Sequence, residues 1–177
     1  MDKIRLATAW LGGCSGCHMS FLDLDERLIE LNIRAEIVFS PLMDVKKFHS
    51  NVDVVLVEGA VANSDNRELL MQIRERSRFL IAFGDCAVTG NVTAMRNGLD
   101  RDELLRQVYG EIGKEMGKQE YTPLPLLEET VQPIGKVVDV DFHLPGCPPH
   151  ADLIWYVITE LLDGRTPILT EERLNYG

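Results

Sequence analysis

The chain is 177 residues long and 45% hydrophobic. That suits one globular core, since cores usually divide only beyond roughly 250–300 residues. Acidic residues outnumber basic ones 28 to 18, for a formal charge of -10. Lys46-Lys47 and the Arg74, Arg76, Arg78 series, broken by Glu75, make no basic stripe, which argues against nucleic acid and anionic lipid as partners.

No apolar run approaches the ~20 residues of a membrane span. The start, Met1 to Arg5, lacks the regions of a signal peptide and a twin arginine, so a cytoplasmic location is expected, where disulfides are rare. Four cysteines in a reducing compartment then point to metal binding or redox chemistry.

Ile4–Leu11 reads as a first strand. Gly12-Gly13-Cys14-Ser15-Gly16-Cys17 follows, then one amphipathic helix from about His18 to Leu31. Its apolar positions Phe21, Leu24, Leu28 and Leu31 recur at helical spacing, and Leu22 and Ile29 widen the stripe. Ala35–Phe39 is a second strand. Val52–Val57 is a β-branched run typical of a strand buried on both faces, ending at Glu58-Gly59. Asp65 and Glu68 stand at capping-box spacing before a helix carrying Leu69, Leu70 and Ile73.

Phe79–Phe83 is the next strand and runs into Gly84-Asp85-Cys86. A helix from Arg101 to about Met116 is expected, capped by Asp100. Residues 119–135, with Pro123, Pro125 and Pro133, read as an extended loop. Val137–Leu144 is the last strand, followed by Pro145-Gly146-Cys147-Pro148-Pro149. The final helix runs from about His150 to Leu162 and stops at Gly164. Strands alternating with helices predict an α/β fold with a mainly parallel sheet, here as a single domain over 1–177 with a polar tail from about 165.

Each cysteine sits just past a predicted strand: Cys14 and Cys17 after the first, Cys86 after Phe79–Phe83, Cys147 after the last. In a parallel sheet these ends share one edge, where open α/β folds place ligands, so residues 133 positions apart can meet. Gly12, Gly13, Gly16, Gly84 and Gly146 free the backbone to wrap a bulky group and aim N–H groups at it. Pro145, Pro148 and Pro149 stiffen the last loop. Helix N-termini favour thiolates, which helps several negative ligands share a site.

A thioredoxin-like Cys14/Cys17 pair would leave Cys86 and Cys147 without a role. Structural zinc sites usually come as two close Cys pairs, whereas two cysteines here are single and distant. Burial of Cys86 and Cys147 as packing thiols fits poorly with their Gly- and Pro-rich settings. Spacing favours an iron–sulfur cluster and leaves zinc open.

Trp10-Leu11 before Cys14-Ser15-Gly16-Cys17, then Glu58-Gly59, Gly84-Asp85-Cys86-Ala87 and Pro145-Gly146-Cys147-Pro148-Pro149, in this order, resemble the small subunit of [NiFe] hydrogenases. The resemblance runs from about residue 4 to 163. It implies a flavodoxin-like domain whose Cys14, Cys17, Cys86 and Cys147 hold one [4Fe–4S] cluster, proximal to a nickel–iron centre on a separate large subunit. Gly13, Gly16, Glu58, Gly84, Gly146 and Pro148 would surround those ligands.

The absence of further cysteines and of a twin-arginine leader brings the chain nearest to the short, single-cluster subunit of bidirectional, NAD-reducing hydrogenases. Such a subunit is a non-catalytic relay to a diaphorase module that reduces NAD(P). Many periplasmic and membrane-associated relatives carry Glu just before the first cluster Cys. This chain has Gly13 there, so that glutamate's proton-transfer roles do not carry over. The cluster-bearing subunit of respiratory complex I shares the later motifs but has adjacent cysteines in its first loop. Here Ser15-Gly16 separate the pair.

Glu58 reads either as a partner-facing or proton-moving group or as a strand-end carboxylate bonded to nearby backbone. His18 and His150 flank the cysteine loops; either could replace a ligand, as imidazole does in some clusters, but with four cysteines present they read as first-turn helix residues or partner contacts, while His143 reads as a core or interface residue and His49 as a loop residue. FMN is a further candidate for such a fold. Its phosphate-binding loop is taken by Cys14 and Cys17, and Ala62-Asn63-Ser64 and Thr89-Gly90-Asn91 are weak substitutes, so no residue supports it.

Overall fold

A computed structural model describes residues 3–110 and 124–174. Five strands form one parallel sheet: β1 (Ile4–Trp10), β2 (Ala35–Phe39), β3 (Val52–Glu58), β5 (Ser77–Phe83) and β7 (Phe142–Leu144). Their order is β2-β1-β3-β5-β7. Counting only these strands, the order is 2-1-3-4-5, the flavodoxin-like arrangement in which chain direction across the sheet reverses between β1 and β3. The fold is α/β, mostly parallel and flanked by helices, as expected.

The β-branched run of β3 occupies the middle of the sheet, and alternation sends its side chains to two cores. On one face Leu6, Leu56, Ile81 and Phe83 meet Phe21, Leu24, Leu31, Ile154 and Val157. On the other Val55, Val57, Leu80 and Ala82 meet Leu70 and Ile73. Helices α1 (Gly16–Leu22), α2 (Arg27–Arg34) and α6 (Ala151–Leu162), with Leu24 from the turn between the first two, supply the first set, and α3 (Ser64–Arg76) the second.

The expected helix from His18 to Leu31 is in fact two. Asp25 adopts φ 48, and Leu24 and Asp25 donate to the carbonyls of Phe21 and Leu22, three residues back. The Asp-Leu-Asp sequence favours this tight turn, because Asp tolerates a left-handed backbone and the break turns Leu24 into the core.

The cap of α3 is Asn63, whose side chain accepts the Asn66 N–H at 2.9 Å; Asp65 lies inside the first turn. Asp100 caps α5 (Arg101–Tyr109) as expected, but the helix stops at Gly110, whose φ of 67 is left-handed, instead of running on to about Met116; residues 111–116 of that expectation lie outside the described residues.

The stretch expected as a loop holds β6 (Leu127–Gln132), antiparallel to the short β4 (Val61–Asn63). Val131, next to its last residue, is buried. The last strand starts at Phe142 rather than Val137, because the Asp141 side chain accepts the Leu80 N–H at 2.7 Å. A side chain thus takes a donor that a longer strand would have paired. Residues Ile134–Lys136 form a 3₁₀ turn, with Val137, Val138 and Val140 packed beneath the sheet. Gly164, at φ 72, ends α6 as expected.

Candidate metal centre

The carboxyl ends of β1, β3, β5 and β7 carry the candidate residues. After β1 the chain is pinned to the β3 exit: Leu11 N–H donates to Glu58 O at 2.8 Å, and Gly12 and Ala60 exchange N–H···O bonds of 2.9 and 2.8 Å. Cys14 follows in an exposed loop, with the Gly16 N–H 3.4 Å from its Sγ. Ser15, at φ 66, then turns the chain into α1, whose first turn carries Cys17, nearly inaccessible to solvent.

β5 ends at Gly84, with φ 83. A Cβ built there would lie 2.2 Å from the Cys17 Sγ, so only glycine permits this approach. Cys86 follows, buried in the first turn of the short α4 (Asp85–Thr89). The Cys147 loop is stitched to the same place. Gly84 N–H donates to Leu144 O at 2.8 Å, Asp85 N–H to Gly146 O at 2.9 Å, and Gly146 N–H to the Asp85 carboxylate at 2.7 Å. Gly146 has φ 136, and a Cβ on it would fall 2.5 Å from Pro149 Cα. Cys147 is exposed, and with Pro148 and Asp85 it lines a cavity of about 680 Å³.

The four thiols are therefore neighbours. Burial pushes the Cys17 thiol far up, and the negative charge of Glu58 and then of Cys14, Cys86 and Cys147 pushes it further. A proton on Cys17 must leave when a metal takes its place. Yet among the described residues no three His, Cys, Asp or Glu side chains converge closely enough to share a single metal ion.

Glu58 is 2% exposed and His18 1%. The Glu58 carboxylate accepts the backbone N–H of His18 at 3.0 Å and pairs with its Nδ1. The geometry is that of the strand-end reading of Glu58, a buried carboxylate holding backbone beside the cysteines. A Cβ on Gly13 would stand 3.3 Å from Gly59 Cα and 3.6 Å from Glu58 Oε1, so the Gly13 position lies against that carboxylate. His18 is a core residue rather than a surface contact, edge-on to Trp10 with ring centroids 5.3 Å apart. His143 is exposed, contrary to the core reading, and His49 is exposed in its loop. His150 caps α6, its Nδ1 accepting the Asp152 N–H at 3.3 Å.

Three contributors do not stand out in the sequence. Asp85 ties two cysteine loops together. Asn91 points its Nδ2 at the Cys147 Sγ from 3.4 Å. Thr93 donates its hydroxyl to Gly12 O at 3.1 Å, joining the 3₁₀ segment Asn91–Gly98 to the first loop. The left-handed Gly90-Asn91 step is the available signal, and by sequence it reads only as a weak phosphate loop.

Residues 14–161 match the family described as NADH ubiquinone oxidoreductase, 20 Kd subunit. The chain belongs to this family. Within it, the chain is 38% identical to the NAD-reducing hydrogenase HoxS subunit delta of Cupriavidus necator, over 92% of this chain and 80% of that one. It is 39% identical to a subunit of the F420-non-reducing hydrogenase of Methanothermobacter thermautotrophicus, over 98% of its own length but spanning only 58% of that relative.

A chain in the crystal structure of an NAD+-reducing [NiFe]-hydrogenase in the H2-reduced state superposes with a TM-score of 0.88. That match has 43% identity and covers 99% of this chain and 100% of the other. The resemblance to small subunits of NAD-reducing [NiFe] hydrogenases read from the motifs is thereby borne out. A [NiFeSe]-hydrogenase chain from Dm. baculatum matches with a TM-score of 0.57 at 15% identity, over 97% of this chain and 69% of that one, which shows the shared fold alone. Among the described residues of this family member, no helix is long and apolar enough to cross a membrane.

Proposed function

We propose that this chain is the electron-relay small subunit of a cytoplasmic, NAD-reducing [NiFe] hydrogenase, with Cys14, Cys17, Cys86 and Cys147 holding one [4Fe–4S] cluster. The relay would join the nickel–iron site of a large subunit to diaphorase subunits that reduce NAD(P). The observation that carries the reading is the meeting of all four thiols at one sheet edge, in a chain that matches a subunit of an NAD+-reducing [NiFe]-hydrogenase over its whole length.

When bound, the cluster would accept and release electrons one at a time. The chain's own residues supply the rest. Gly84 and Gly146 leave room for the ligands, and Asp85 locks the Cys86 and Cys147 loops in register. The Glu58–His18 pair fixes the backbone on the far side of Cys17. Near this edge Trp10, Met19, Val92 and Met95 are exposed, an apolar rim suited to a partner subunit that delivers electrons there.

The family's description favours a second reading, the cluster-bearing subunit of a complex I-like NADH:quinone oxidoreductase. Nickel, iron and acid-labile sulfide, measured in the complex captured anaerobically through a tag on this chain, separate the possibilities. Nickel with excess iron and sulfide supports the hydrogenase. Iron and sulfide without nickel move the reading to the complex I-like relay. Zinc alone refutes both.

A further inference from the structure

We propose that Asn91 sets the reduction potential of the group held by Cys147, by donating a side-chain N–H to that cysteine's sulfur. The inference rests on the relay reading above and deepens it. Asn91 Nδ2 lies 3.4 Å from Cys147 Sγ, across 56 positions of sequence. Among the described residues two hydrogen bonds reach a cysteine sulfur. The other is the backbone N–H of Gly16 on Cys14, so Asn91 makes the only such bond that a substitution can delete without moving the main chain.

The donor is held in place. Gly90, at φ 90, ends α4, and Asn91 itself takes φ 34, in the left-handed region that favours glycine. Asn is among the few side-chain-bearing residues that tolerate that region, so the position keeps the turn and gains an amide. The Asn91 N–H donates to Thr89 Oγ1 at 3.3 Å. Further on, Thr93 holds Gly12 O at 3.1 Å, and Asn97 exchanges bonds of 2.9 and 2.7 Å with the Val131 backbone. The segment behind the amide is anchored at both ends.

The sign follows from charge. A thiolate sulfur can only accept, so the amide must present its NH₂ to it. Reduction adds negative charge to the cluster and its sulfurs, and a donor aimed at one of them favours the reduced state. Removing the donor lowers the potential. Replacing it with a carboxylate, which cannot donate when ionised and adds a negative charge, lowers it further. Asn91 is thus a positioning residue that acts through Cys147.

The test is an EPR-monitored redox titration of the assembled complex containing wild-type chain, Asn91→Gly or Asn91→Asp, with iron content measured alongside. Asn91→Gly suits the left-handed backbone and deletes only the amide. Its potential should fall by the equivalent of about a tenfold change in the reduction equilibrium, ~59 mV for a one-electron couple. Asn91→Asp should fall further.

A loaded Asn91→Gly complex with wild-type potential overturns this inference and leaves the relay reading standing. A wild-type complex with no iron–sulfur signal overturns the relay reading and this inference with it. If Asn91→Gly takes up no iron, Asn91→Leu decides, because it keeps the side-chain shape with neither a donor nor an added charge: a lowered potential supports the proposal and an unchanged one refutes it.

Discussion

Gly84 approaches Cys17 so closely that a single added methyl would sit 2.2 Å from its sulfur. The contact joins the exit of β5 to the first turn of α1, and it makes a sharp prediction. Gly84→Ala attacks the site directly with one methyl group. The Gly84 backbone, with φ of 83 and ψ 164, falls in a region essentially confined to glycine and adds about 1–3 kcal/mol of strain for any L side chain. Iron and sulfide content of the purified complex should fall well below half of wild type, while far-UV circular dichroism stays close to it. Full occupancy in Gly84→Ala would show that the two loops are not held as described.

Glu58 and His18 form a second test. Glu58→Ala leaves the His18 backbone N–H and Nδ1 buried without their acceptor, at about 1–3 kcal/mol for each unmet group. Glu58→Gln keeps a carbonyl oxygen for the N–H and should lose less. Urea denaturation of the two variants checks the order, and equal losses would mean that the pair does not hold α1 against β3.

Acid stability should report on Arg67 and Glu128. Nε and Nη2 of Arg67 donate to the two carboxylate oxygens at 2.6 and 2.9 Å, tying α3 to β6. The hydrogen bond from Arg67 holds the Glu128 carboxyl below its ordinary value of 4.5, and the charges of Arg67 and Arg96 add to this against the cost of burial. A depressed folded value means that the unfolded chain binds more protons in this window. The contribution is therefore complete above the ordinary value and is lost as pH falls through the folded one. The wild-type advantage in melting temperature over Glu128→Gln should be present at neutral pH and shrink below 4.5. A pH-independent difference would assign the effect to packing.

Asn63, not Asp65, caps α3, and the two are separable. Asn63→Ala removes the acceptor of the Asn66 N–H and should cost about 0.5–2 kcal/mol. Asp65→Ala removes a favourable charge from the first turn, worth about 0.3–1 kcal/mol at an exposed site. Chemical denaturation of both variants, with the larger loss in Asp65→Ala, would restore the reading made from spacing alone.

The site is legible in the sequence because its signal is positional. Each cysteine follows a run such as Val52–Val57 or Phe79–Phe83 closely enough for parallel topology to dictate the meeting place. Expectation and structure part where a side chain replaces a periodic pattern. Asp141 takes the Leu80 N–H and shortens β7, although Val137, Val138 and Val140 look like strand. Asp25 breaks a stripe that is continuous in sequence from Phe21 to Leu31. β4 has three residues, too few for any period to show, so its partner β6 has no visible reason to be a strand. Asn91 escapes notice because its value depends on Cys147, 56 positions away.

The sheet order also governs when the site can exist during synthesis. Cys14 and Cys17 leave the ribosome early, but the edge they share with Cys147 is complete only when Leu144 has docked beside Phe83 on the far strand. A nascent chain held before that point has two loops and no enclosure, with the first pair of thiols open to air and to stray metals. Assembly at this edge is therefore a late event, coupled to closure of the last and shortest strand of the sheet.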